Sequence, residues 1–100
     1  MKPTVLEIRY VSALEDVDPE NDNLDVNLHL TDGRVFGFLL ATPKNIDSCM
    51  ANEGIDHFFS EPPPLFVSRL DHPHIEEAFR ALLSEEHPEK WLNIYGVLQN

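Results

Sequence analysis

Asp16, Asp18, Glu20 and Asp22 place a carboxylate at every second position, which is how a calcium-binding loop begins. Such a loop also needs a glycine at its sixth position for a sharp turn and a bidentate glutamate at its twelfth. Counted from Asp16, those positions hold Asn21 and Asn27. The pattern therefore predicts a solvated acidic loop and no specific metal site. A second cluster, Asp71, His72 and His74 around Pro73, offers the carboxylate and imidazole groups that bind zinc or nickel. A zinc site needs three or four converging ligands, whereas two histidines two residues apart at a helix start point in different directions. Asp71 is already accounted for as a helix cap, so both histidines are expected to face solvent. His29 and His57 read as surface or edge residues.

Cys49 is the one thiol. It has no sequence-local basic partner to lower its pKa, and it stands beside Met50 at core-facing spacing, so it reads as a small buried hydrophobe rather than a nucleophile. Ser12, Ser48, Ser60, Ser68 and Ser84 have no nucleophile-elbow context, and no phosphate-binding or dinucleotide glycine motif occurs. The pairs Glu76-Glu77 and Glu85-Glu86 fall on or near the polar face of a helix. No catalytic residue, metal ligand or cofactor site is expected.

The chain has 100 residues, with 18 Asp and Glu against 7 Lys and Arg, a formal net charge of −11. That field repels nucleic acid and anionic lipid and favours association with cationic partners. A chain of this length suits one domain with one core. The first apolar segment contains Glu7 and Arg9, so no secretory signal is read. The longest apolar run, residues 35–41, is far below the ~20 residues that cross a bilayer. A lone cysteine forms no internal disulfide, and together these features predict a cytoplasmic protein.

The elements that position these residues follow from periodicity. Residues 5–11 alternate Leu6, Ile8 and Tyr10 against Val5, Glu7, Arg9 and Val11, the period of a half-buried strand. Residues 24–30 form a second strand, with Leu24, Val26, Leu28 and Leu30 on one face and Asp25, Asn27 and His29 on the other. Thr31-Asp32-Gly33 is read as a three-residue turn with Gly33 in a left-handed bulge. That turn pairs Leu28 with Phe36, Val26 with Phe38 and Leu24 with Leu40; a two-residue turn would send these side chains to opposite faces.

Thr42 caps a short helix that starts at Pro43 and stops at Gly54, with Ile46, Cys49 and Met50 as its buried stripe. Residues 57–60 and 65–70 read as two further strands around the stiff Pro62-Pro63-Pro64 turn. Asp71 caps a helix whose Ile75, Ala78, Phe79, Leu82 and Leu83 hold helical spacing. Residues 88–99 fit either a short helix around Trp91, Leu92 and Tyr95 or a last strand. The order β-β-β-α-β-β-α predicts a single α+β domain, an antiparallel sheet of about five strands with helices on one face.

The segments DNLDVNLHLTDGR, TPKNI and LFVSRLDHPHIEEAFRALL resemble a family of small uncharacterised bacterial proteins that share a DN-DV-V strand, a DGR turn and a T-KNI helix start. The shared positions, among them Asn23, Asp25, Asp32, Gly33, Arg34, Lys44 and Asn45, are turn, cap and core residues. The resemblance implies the fold and a bacterial setting but no activity. Pro62-Pro63-Pro64 departs from an aromatic, charged segment of similar proteins. What remains is a binding function: a module, by analogy an immunity-type inhibitor or regulator, that engages a basic protein partner through Asp16, Asp18, Glu20, Asp22, Glu76 and Glu77. The alternatives are a small-molecule or metal pocket near His57, Trp91 and Tyr95, possibly enzymatic, and an oligomer subunit joined by a sheet edge or the C-terminal segment.

Overall fold

The computed structural model describes residues 2–99. Alternation builds its centre. β2 (Asn23–Leu30) and β3 (Val35–Ala41) form an antiparallel hairpin in which Leu28 opposes Phe36, Val26 opposes Phe38 and Leu24 opposes Leu40. This is the register of the bulged turn: Gly33 N donates to the Leu30 carbonyl at 3.0 Å, and Gly33 has a φ of 92°, where a Cβ is strained. Leu24, Val26, Leu28, Leu30, Phe36, Phe38 and Leu40 are all buried on one face, while Asp25, Asn27 and His29 lie on the other.

β1 (Val5–Tyr10) pairs antiparallel with β2, and here the expected alternation breaks. The register shifts between Val5 and Glu7, so that Val5, Ile8 and Tyr10 pack against the core while Leu6 is left 67% exposed. A bulge inserts one residue and reverses the side-chain phase on one side of it. Leu6 is the residue that the period misplaced.

α1 (Pro43–Glu53) is capped by Thr42, whose hydroxyl accepts from Asn45 N, and it ends at Gly54 with φ 69°. Both ends fall where the sequence puts them. Its stripe of Ile46, Cys49 and Met50 is only half-buried, however, and no residue of α1 is fully buried. Cys49 is thus not the core side chain expected.

Two further expectations are corrected. Residues 57–60 form no strand; Phe58 and Phe59 lie exposed in an irregular segment. The strand expected at residues 65–70 shrinks to β4 (Leu65–Phe66), which runs parallel to β3. α2 (His72–Leu83) follows the Asp71 cap and buries Ile75, Phe79, Leu82 and Leu83. The segment left open contains both alternatives: α3 (Pro88–Tyr95), then β5 (Gly96–Gln99). β5 pairs antiparallel with Val35–Phe38 of β3, so β4 and β5 share one edge of that strand at different positions. The observed order is β-β-β-α-β-α-α-β, an α+β fold with five strands, antiparallel except at the short β4.

The core is one cluster. α2 and α3 cover the apolar face of the sheet, where the Phe38 and Phe79 rings meet edge to face at 5.0 Å. Gly96 lets α3 turn directly into β5: a Cβ there would lie 2.6 Å from the Leu92 carbonyl oxygen and 3.0 Å from the Phe38 ring.

Candidate binding groove

Two of the four carboxylates of the predicted acidic site, Asp18 and Asp22, are engaged by the loop's own backbone. Asp22 accepts from Asp18 N at 3.0 Å and from Asn23 N at 2.8 Å, and Asp18 accepts from Glu20 N at 3.0 Å. Glu20 pairs with Arg69 at 3.2 Å, and Asp16 closes a 3-10 turn over Leu14–Asp16. Asp18 and Asp22 hold the loop in shape, as short side chains at turns do. Among the described residues no group of three or more His, Cys, Asp or Glu is gathered as a metal requires. His74 lies 2.6 Å from Asp71, whereas His72 turns the other way to Tyr10. The Asp71 carboxylate, held by the His74 N–H and then by the His74 ring, sits below the usual carboxylate range.

Trp91 and Tyr95 stack at 6.2 Å and, with Leu65, Ala78 and Leu82, line a shallow depression of about 490 Å³. His57 does not join them; it is exposed beside Asp56. The larger concavity, about 810 Å³, lies elsewhere, between β1 and α2.

That groove is built from two ordinary requirements. α2 buries one stripe against the sheet, and so turns His72, Glu76 and Arg80, one helical turn apart, toward the edge of β1. β1 contributes Leu6, Ile8 and Tyr10 to the opposite wall. Lys2 closes one end, its Nζ donating to the Glu85 carbonyl at 2.6 Å, where a cation complements a helix C-terminus. At the other end the Tyr10 hydroxyl lies 3.2 Å from His72 Nδ1, with the two rings edge to face at 5.2 Å. Burial, followed by the Glu76 and Asp71 carboxylates, pushes the Tyr10 pKa above its ordinary value, so the phenol is a weaker acid than a free tyrosine.

The rim of the groove is a strand edge. Val11 N donates to the Asp25 carbonyl at 3.1 Å, and opposed residues of an antiparallel pair alternate between bonded and non-bonded. With Tyr10 opposite Val26, Arg9 opposite Asn27 and Ile8 opposite Leu28, Arg9 bonds to β2 while Ile8 and Tyr10 aim their main-chain groups away from it. Among the described residues β1 has no second neighbour in the sheet. Of the six acidic residues expected to engage a partner, Glu76 lines this groove; Glu77 pairs instead with Arg80. Leu6, Tyr10, Lys2 and Arg80 are the members the sequence reading missed. The apolar row 6, 8, 10 on a first strand was a signal for Leu6 and Tyr10; Lys2 and Arg80 had none.

Comparison of the chain with protein-family models, with curated proteins and with solved structures gives no match, so the functional reading rests on this geometry. No helix among the described residues is long and apolar enough to cross a membrane.

Proposed function

We propose that the protein is a non-enzymatic binding module that accepts an extended segment of a protein partner along the free edge of β1, in the groove against α2. The observation that carries this reading is the outward main-chain edge at Ile8 and Tyr10 beside an apolar trough whose far wall is already in place. Strand addition obtains affinity from main-chain hydrogen bonds and selectivity from alternate side chains that enter pockets. Leu6 and Ile8 supply the apolar surface, and its burial against a partner is favourable by about 25 cal/mol per Å². Lys2, Glu7 of β1, and His72, Glu76 and Arg80 of α2 place both signs of charge around the trough. Selection there rests on shape and main-chain pairing more than on the −11 charge of the whole chain.

Binding is favoured over catalysis because the groove's perturbed group is shifted the wrong way. A tyrosine that acts as base or nucleophile near neutrality needs a lowered pKa, and that of Tyr10 is raised. A reducing, cytoplasmic compartment suits the single, half-buried thiol of Cys49.

The test is selection of peptides from a random display library against the folded protein, followed by amide hydrogen exchange residue by residue. Bound peptides are expected to slow exchange at Ile8 and Tyr10 and to leave Arg9 unchanged. Peptides that protect the acidic loop or the Trp91 depression instead would move the site and overturn this reading.

A further inference from the structure

The identity of the partner follows from the charge pattern of β1, given the strand-accepting edge proposed above, on which this inference rests. Glu7 and Arg9 flank Ile8 on the solvent face of β1, side by side at 3.0 Å and each more than half exposed. An antiparallel two-fold pairing of two identical strands is specified by the residue at its centre. Because Ile8 and Tyr10 carry the outward main-chain groups, a pair centred on Ile8 joins Ile8 to Ile8 by two hydrogen bonds. In that register Glu7 of each chain stands directly opposite Arg9 of the other, at the close spacing where side chains interact most strongly. A centre on Glu7 or Arg9 sets like charges face to face. Among these registers, Ile8 gives complementary charges throughout.

We propose that the occupant of the groove is a second copy of this chain, joined β1 to β1 about a two-fold axis at Ile8 into one continuous sheet. The exposed Leu6 of each chain then lies beside Tyr10 of the other and enters the opposing trough, which accounts for a large apolar side chain 67% exposed on a strand edge. The bulge between Val5 and Glu7 limits the new pairing to residues 6–10. Such an interface is isologous, the form that closes at a dimer and leaves no further edge of the same kind. Two chains of net charge −11 repel at long range. The dimer should therefore tighten as salt is raised, whereas a complex with a basic protein would weaken.

Sedimentation equilibrium of the full chain from micromolar to millimolar concentration is the direct test, with Glu7→Arg and Arg9→Glu as variants. Either reversal turns two attractions per dimer into two repulsions and is expected to raise the dissociation constant roughly thirtyfold. An equimolar mixture of the two variants restores opposite charges at both pairs and should dimerise as the unmodified chain does. Both positions are exposed, and circular dichroism checks that each variant is folded. Variants that dimerise as tightly as the parent, or a mixture that stays monomeric, would refute the Ile8-centred pairing. A parent chain that is monomeric throughout, yet whose Ile8 and Tyr10 amides are protected by selected peptides, overturns self-pairing while the strand-accepting reading stands. A monomer with no such peptides overturns both.

Discussion

Gly96→Ala is the sharpest probe of how the C-terminal segment is held. The added methyl would sit 2.6 Å from the Leu92 carbonyl oxygen, 3.0 Å from Phe38 Cζ and 3.1 Å from its Cε2. None of these atoms can move cheaply. The oxygen is backbone and accepts the N–H of Gly96 itself, and the Phe38 ring is buried against Phe79. Relief requires β5 to lift from β3 or the last turn of α3 to open. Overpacking of this kind costs about 1–3 kcal/mol, and a lost hydrogen bond adds about 1. The reduced freedom of the unfolded chain offsets about 0.4–1 kcal/mol. The net expectation is a loss of about 2–3 kcal/mol, a fall in Tm of roughly 10–20 °C for a chain of this size. The backbone itself is not the cause, because φ at Gly96 is −112° and any residue adopts it. Gly33 provides the contrast, since its φ is 92° but nothing lies within 4 Å of an added Cβ. Asparagine should therefore be tolerated better than alanine at residue 33 and no better at residue 96. Thermal melts of the four variants decide the matter; a Gly96→Ala protein as stable as the parent would refute the close approach of α3 to the sheet.

Asp32 and Glu89 are lowered first by hydrogen bonds from Arg34, and Asp71 by the His74 N–H, so each binds its proton more weakly when folded than when unfolded. Their stabilisation is present above the ordinary carboxylate range and is lost as pH falls through the lowered values; Tm should drop below about pH 4, and a flat acid profile would contradict this. Arg34 forks to both oxygens of Glu89 at 2.6 and 2.8 Å and reaches Asp32 through Nε at 2.9 Å. With its side chain about one-third exposed, Arg34→Lys should destabilise by about 1 kcal/mol in urea titrations, less in ~1 M salt; a loss above about 3 kcal/mol would mean a desolvated network. Millimolar calcium should leave Tm unchanged, because Asp18 and Asp22 already hold backbone N–H groups; a clear rise would overturn that assignment.

The hairpin, both strong helix caps and the α2 stripe were legible because each is local: alternation on β2, Thr31-Asp32-Gly33, Thr42-Pro43 and Asp71 act over a few residues. The bulge in β1 was not, since inserting a residue into a ladder leaves no compositional mark, and Leu6 consequently faced the wrong way. Phe58-Phe59 resembles a strand, yet β3 has one spare edge, and β4 and β5 fill it. Residues 88–99 satisfied two patterns because they contain two elements. The acidic residues drew attention by density, but a carboxylate that caps its own loop looks the same in sequence as one that awaits a partner. The groove was hidden for a simpler reason: residues 2–10 form one wall and 72–84 the other, and no window spans both.

The sharing of β3 by β4 and β5 has a consequence for how the chain is made. During synthesis β1, β2 and β3 can pair as soon as they emerge, but the edge at Val35–Phe38 has no β5 beside it until Gly96–Gln99 arrives, after α1, β4, α2 and α3. For that interval Phe36 and Phe38 border an unfinished sheet, the kind of edge through which nascent chains stick to one another. The surplus of carboxylates then acts on the unfinished molecule: Glu53, Asp56, Glu61, Glu85 and Glu86 emerge during the wait and add to a negative charge that keeps neighbouring chains apart. The edge of β3 at Val35–Phe38 is thus closed by a segment that follows α3 in the chain, with acidic residues in between.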